Sequence, residues 1–214
     1  MPDAPLVKVC GLTDPAEAAA CAAHGAWAIG VVFAPESPRL VSVDRARAVL
    51  SALPPGVRRV GVFVDAEVEE LADVARACEL THVQLHGDVV DVAAARAATG
   101  REVIRGFAVD GPGVLDAARA SDADLVLLDA AVSGRHGGTG RAFDWSLLEG
   151  ADLGRPYLLA GGLDAENVGE AVRRLHPAIV DVSSGVEWAP GRKDPERVRA
   201  FIEAARSQAR VGTA

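Results

Sequence analysis

The 214-residue chain is 50% hydrophobic and 24% charged, with a formal net charge of −8. The apolar content supports a sizeable core, and the negative balance speaks against broad binding to nucleic acid or to an anionic membrane. No charged-then-apolar leader opens the chain, no apolar run is long enough to span a bilayer, and Cys10, Cys21 and Cys78 lack CxxC or Cys/His metal spacing, a pattern that fits a reducing cytoplasm.

Taken in chain order, an apolar run predicts a first strand over Leu6–Cys10, followed by Thr13 or Asp14 as the cap of a helix over Pro15–His24. Strands over Trp27–Phe33, Arg58–Val64 and His82–Leu85 alternate with helices over Val43–Leu53, Ala66–Cys78 and Val89–Thr99. The second half repeats the pattern, with strands over Val103–Phe107, Leu125–Leu128, Tyr157–Ala160 and Ile179–Val182. Helices are predicted over Gly111–Ala120, Asp144–Glu149, Ala165–Leu175 and Pro195–Ser207. Eight β-then-α units predict an α/β protein, a (β/α)8 TIM barrel forming a single domain over 1–214 with its core at about residues 6–206. The first strand is not followed by the GxGxxG fingerprint of an open dinucleotide-binding sheet.

Barrel active sites form at the C-terminal ends of the strands, so the residues there are the candidates. Cys10 ends strand one and shares a face with Lys8, while Val7 and Val9 take the other. Lys8 reads equally as an interior ion-pair partner, with Asp181 of strand eight within reach, and its ammonium is expected to favour a Cys10 thiolate. Asp129 closes an apolar strand, where a carboxylate is costly unless paired or functional. His86 ends strand four on the face of Gln84, as an acid/base or a structural donor, whereas His24, His82, His136 and His176 read as surface or helix-end residues. Cys21 and Cys78 fall within helices as packing residues. Gly161-Gly162 after strand seven and Ser183-Ser184-Gly185 after strand eight form an anion cradle at the two positions where barrels often hold phosphate. The Gly-rich loop that includes Gly138 and Gly140 reads as a lid, a phosphate contact or a plain loop. Arg39, in a Pro-flanked loop, reads as a carboxylate clamp or as surface charge.

Together these residues resemble the phosphoribosylanthranilate isomerase family of tryptophan biosynthesis. The likeness rests on Lys8-Val9-Cys10-Gly11-Leu12-Thr13, Ser37-Pro38-Arg39, Gly61-Val62-Phe63-Val64 and Val83-Gln84-Leu85-His86-Gly87. It continues through Leu127-Leu128-Asp129, Gly137-Gly138-Thr139-Gly140, Ala160-Gly161-Gly162-Leu163 and Asp181-Val182-Ser183-Ser184-Gly185-Val186-Glu187. The resemblance implies an Amadori rearrangement of N-(5-phosphoribosyl)anthranilate to 1-(2-carboxyphenylamino)-1-deoxyribulose 5-phosphate. It implies Cys10 as general base at the ribose C2, Asp129 as general acid on the ring oxygen and Arg39 on the anthranilate carboxylate. It also implies the phosphate on the backbone around Gly161, Gly162, Ser184 and Gly185. No metal or organic cofactor is implied, and the partner is a phosphorylated small molecule handled by a monomer or homodimer. Trp27 and Ala130 depart from the family pattern.

At reference pKa values, an Asp (~3.9) is protonated in roughly one molecule per thousand at neutral pH and a Cys (~8.5) is ionised in roughly 3%. A tuned site, with Lys8 lowering Cys10 and burial raising Asp129, is one expectation; operation from a minority protonation state is the other. Two rival readings are a related phosphoribosyl barrel isomerase of histidine biosynthesis, which normally uses two carboxylates, and a non-catalytic phosphate-ligand sensor.

Overall fold

The computed structural model describes residues 4–88, 91–111, 113–129 and 145–207. Eight parallel strands are hydrogen-bonded in sequence order: β1 (Leu6–Val9), β2 (Ala28–Val32), β3 (Arg58–Val64), β4 (His82–His86), β5 (Glu102–Ala108), β6 (Leu125–Asp129), β7 (Tyr157–Ala160) and β8 (Ile179–Val182). β8 pairs back onto β1 and closes the TIM barrel. Around it lie α1 (Pro15–Ala23), α2 (Val43–Ser51), α3 (Val68–Ala77), α4 (Val92–Thr99), α5 (Gly113–Ala120), α6 (Val168–Leu175) and α7 (Pro195–Ser207).

Local chemistry explains where these helices begin and end. Asp14 caps α1, its Oδ1 accepting from the amides of Ala16 and Glu17 at 2.9 and 3.2 Å, with Pro15 in the first turn. Ser42 and Asp91 cap α2 and α4 in the same way. α6 buries Val168, Ala171, Val172 and Leu175, the spacing of one helix face. Val7, Val9, Ile29, Val31, Phe63, Val83 and Phe201 belong to the core layer between strands and helices, whereas Ala28, Val60, Ile104, Leu127, Leu158 and Ile179 fill the barrel interior. No helix among the described residues is long and apolar enough to cross a membrane.

The structure differs from the sequence expectation at four places. The helix expected over Asp144–Glu149 is one 3-10 turn, Trp145–Leu147, because Gly150 turns left-handed (φ 69°) before a second turn can form; Asp144 is outside the described residues. Residues 187–193 form an unexpected antiparallel hairpin, β9 (Glu187–Ala189) and β10 (Arg192–Lys193), turned by Pro190-Gly191. Cys78 caps α3 and does not lie within it. His82 is not a surface residue: it faces inward at the N-terminal end of β4, 2% exposed, with Nε2 2.9 Å from Glu102, Nδ1 2.8 Å from the Thr81 hydroxyl and its ring edge-on to Trp27. Alternation along β4 sends His82, Gln84 and His86 to one side, so the first of them plugs the barrel floor.

Candidate active site

The β1 alternation puts Val7 and Val9 against the helices and turns Lys8 into the barrel, where it is fully buried. The register sets Lys8 opposite Asp181 of β8, and Lys8 Nζ donates to both carboxylate oxygens at 2.9 Å. Burial, the largest single influence, pulls the Lys8 value down. Asp181 and Cys10, through charge and hydrogen bonding together, outweigh it and hold Lys8 above the ordinary lysine value.

Above this pair a cavity of about 260 Å³ opens at the C-terminal ends of the strands. Cys10 lies directly after β1, His86 ends β4, Asp129 ends β6 and Ser183 follows β8; all four line the cavity, with Asp181, Gln84, Ser184 and the Gly161-Gly162 backbone. Val62, Leu127, Ala160 and Leu163 supply its apolar wall. The barrel thus gathers most of the candidates from five strands. Lys8 lies below the lining, Gly185 packs behind it, and Gly138 and Gly140 fall outside the described residues.

Lys8 pulls the Cys10 value down, as expected, but the net shift is upward and the expected tuning toward a thiolate is corrected. Burial pushes the Cys10 thiol above its ordinary value by more than Lys8 pulls it down, because Asp181 offsets much of the Lys8 field; Lys193 adds a smaller downward pull. A cation held in a bidentate ion pair does not make a thiolate at this depth.

Arg39 is not in the cavity lining. Its Nε and Nη2 donate to Glu187 Oε1 and Oε2 at 2.8 and 2.6 Å, a bidentate pair at the rim. Glu187 also accepts from Lys193 Nζ at 2.7 Å and from the Gly191 amide at 3.2 Å. Burial would raise the Glu187 carboxyl, but Arg39 and Lys193 together hold it below the usual carboxylate range. Lys193 Nζ reaches on to the Ser183 carbonyl at 3.1 Å, and the Ser183 hydroxyl donates to the Cys10 carbonyl at 3.1 Å. The hairpin therefore ties Arg39, the loop after β8 and the end of β1 into one network. Lys193 carries no signal of this in the sequence, where Gly191-Arg192-Lys193-Asp194 reads as an ordinary charged turn.

The two Gly-containing loops are built for close approach. Gly161 and Gly162 have φ of 97° and 62°, and Asn167 Nδ2 holds the Gly162 carbonyl at 2.9 Å. A Cβ on Gly185 would lie 2.0 Å from the Leu163 carbonyl oxygen, so the β8 loop packs on the β7 loop only with glycine there. Gly185→Ala is expected to part the loops, to raise KM on the order of tenfold and to weaken inhibition by inorganic phosphate to match, at a cost of about 1–3 kcal/mol in stability. An unchanged KM in the folded variant would remove the phosphate from these loops. Among the described residues no three His, Cys, Asp or Glu side chains are grouped as a metal-ligand set.

Residues 7–204 match the family model described as N-(5'phosphoribosyl)anthranilate (PRA) isomerase. The chain belongs to the PRA isomerase family. An N-(5'-phosphoribosyl)anthranilate isomerase of Pseudomonas aeruginosa (strain UCBPP-PA14) is 47% identical over 217 residues, covering 97% of this chain and 98% of the relative. A crystal structure of the phosphoribosyl anthranilate isomerase of Thermotoga maritima has a TM-score of 0.86 and 40% identity, covering 94% of this chain and 98% of that one. A further crystal structure of a PRA isomerase, in complex with reduced 1-(o-carboxyphenylamino)-1-deoxyribulose 5-phosphate, has a TM-score of 0.80 and 38% identity over 94% of this chain and 98% of that one. The chain is a PRA isomerase of tryptophan biosynthesis on a TIM barrel, and the histidine-pathway and sensor readings give way to it.

Proposed function

We propose that Cys10 and Asp129 are the base and the acid of the Amadori rearrangement of N-(5'-phosphoribosyl)anthranilate. The observation that carries this reading is that thiol and carboxyl line one cavity, beside a glycine-rich backbone suited to a phosphate. Asp129 gives its proton to the ring oxygen as the C1–O bond breaks, and the anilino nitrogen lone pair forms the iminium. The Cys10 thiolate takes the C2 proton. The C–H electron pair becomes the C1–C2 double bond, and the nitrogen regains its lone pair. The resulting enolamine loses the O2 proton and gains one at C1, giving the ketose with no net change in atoms. Both groups finish with their protonation states exchanged, and solvent resets them.

The remaining assignments follow the same geometry. Gly161, Gly162 and Ser184, the last at the start of a short 3-10 turn, bring backbone to the cavity, which suits a phosphate. Arg39 meets the anthranilate carboxylate only by sharing its guanidinium with Glu187. Lys8 and Asp181 support the floor, with the Asp181 carboxylate toward the sugar. Every proposed group comes from one chain, so a monomer and a homodimer would each carry complete sites, and the catalytic unit is one domain. Three buried free cysteines suit a reducing cytoplasm.

The test is the pH dependence of kcat/KM, which reports the free enzyme. The rate follows the fraction with Asp129 protonated and Cys10 ionised, so the upper limb belongs to the group that ionises last. Because the Cys10 thiol is held up by burial, that limb is expected above the ordinary thiol value of about 8.5. Alkylation of Cys10 by iodoacetamide should rise through the same pH. An alkylation midpoint below pH 8 would show an activated thiolate and reject operation from a minority protonation state.

A further inference from the structure

Gln84, on the cavity wall, has no part in that chemistry. Its side chain is 2% exposed; Nε2 lies 2.8 Å from His86 Nε2, and Oε1 is buried without a partner among the described residues. Polar satisfaction sets the amide orientation. Turned over, the amide would leave two buried N–H donors unpaired in place of one N–H and the carbonyl, and orphaned donors are the rarer arrangement. With Gln84 donating, His86 Nε2 is an acceptor, and a neutral imidazole then carries its proton on Nδ1.

The neutral ring is the state at pH 7. Burial lowers the His86 pKa most, Asp129 on β6 pulls the other way, and Lys8 on β1 and Arg105 on β5 lower it further. The ring is seated by an absence on the intervening strand: a Cβ on Gly106 of β5 would fall 2.3 Å from His86 Cε1 and 2.5 Å from Nδ1. The imidazole therefore lies over β5, between its own strand and the one that ends on Asp129.

We propose that Gln84 is a positioning residue that fixes His86 as the Nδ1–H tautomer, so that the cavity is offered a neutral hydrogen-bond donor, and not a cation, on the β4 side of Asp129. An imidazolium there would favour the Asp129 carboxylate and work against its use as an acid. The proposal rests on the acid role given to Asp129 above for its consequence, but the tautomer itself does not depend on that role.

The experiment is nitrogen-15 NMR of histidine-labelled free protein near pH 7, with the His86 signals assigned by their loss in His86→Asn. The expected result is a protonated Nδ1 and an acceptor Nε2. A protonated Nε2 in the wild type overturns the proposal. Gln84→Met, of similar length and without the amide, should release the ring toward the Nε2–H tautomer and lower kcat/KM about tenfold, the size of one neutral hydrogen bond; an unchanged tautomer also overturns it. Gln84→Glu should bring His86 to the imidazolium at neutral pH and move the limb on which the acid loses its proton to lower pH, a change that mere loss of packing would not produce. If the wild type has the expected tautomer but fails to turn over phosphoribosylanthranilate, the isomerase assignment fails and the tautomer device stands.

Discussion

Cys10→Ala and Asp129→Ala are each expected to lower kcat/KM by ~10²–10⁴-fold while leaving the barrel folded. The Cys10 side chain sits among Val32, Ala34 and Val62, a small apolar cluster at the strand ends, so removing one sulfur leaves a minor void there. Asp129 is partly exposed at the end of β6, so its truncation costs little packing. Because base and acid act on one substrate in one sequence, the double variant should lose little more than the worse single variant. Additive losses would mean that the two groups serve separable steps. Activity that survives Cys10→Ala would move the base to another side chain of the cavity, with His86 and Asp181 the ionisable groups nearest to hand.

Much of this was legible because the informative patterns are local. Alternation along Leu6–Cys10 is enough to put Lys8 and Cys10 on one side of β1, and eight recurrences of strand then helix are enough to close a barrel. Once the barrel closes, every strand end is at one rim, and Cys10, His86, Asp129 and the Gly161-Gly162 loop must meet there. What stayed illegible depends on contacts distant in sequence. Glu187 and Lys193 lie on a hairpin whose purpose appears only when Arg39, 148 residues away from Glu187, reaches it. His82 and His86 look alike on one strand, yet one plugs the floor and the other lines the cavity. The sign of the Cys10 shift is a competition between depth and two opposite charges, and neither depth nor the Lys8–Asp181 distance can be read from the order of residues.

That ion pair carries the second large effect, on stability. Lys8→Met leaves the Asp181 carboxylate 8% exposed, without its cation, in the field of Asp129. Breaking a buried pair by removing one partner costs ~3–5 kcal/mol, much of it the penalty of the charge left behind. Lys8→Met/Asp181→Leu, which removes both charges and fills their volume, should recover most of that loss, since a buried ion pair and an apolar replacement are often close in stability. The sign of the pH dependence separates the two variants. In Lys8→Met the lone Asp181 has a folded-state pKa above its unfolded value, so its contribution to stability is fully present below about pH 4 and is lost as pH rises through the folded-state value. The deficit of Lys8→Met relative to wild type should therefore be smallest near pH 4 and largest at pH 7, and the double variant should show no such slope. Urea unfolding across that range measures both. A Lys8→Met deficit under ~1 kcal/mol at pH 7 would mean that water or a neighbouring group takes over the Asp181 charge, and Lys8 would then be free to serve the substrate and not the barrel.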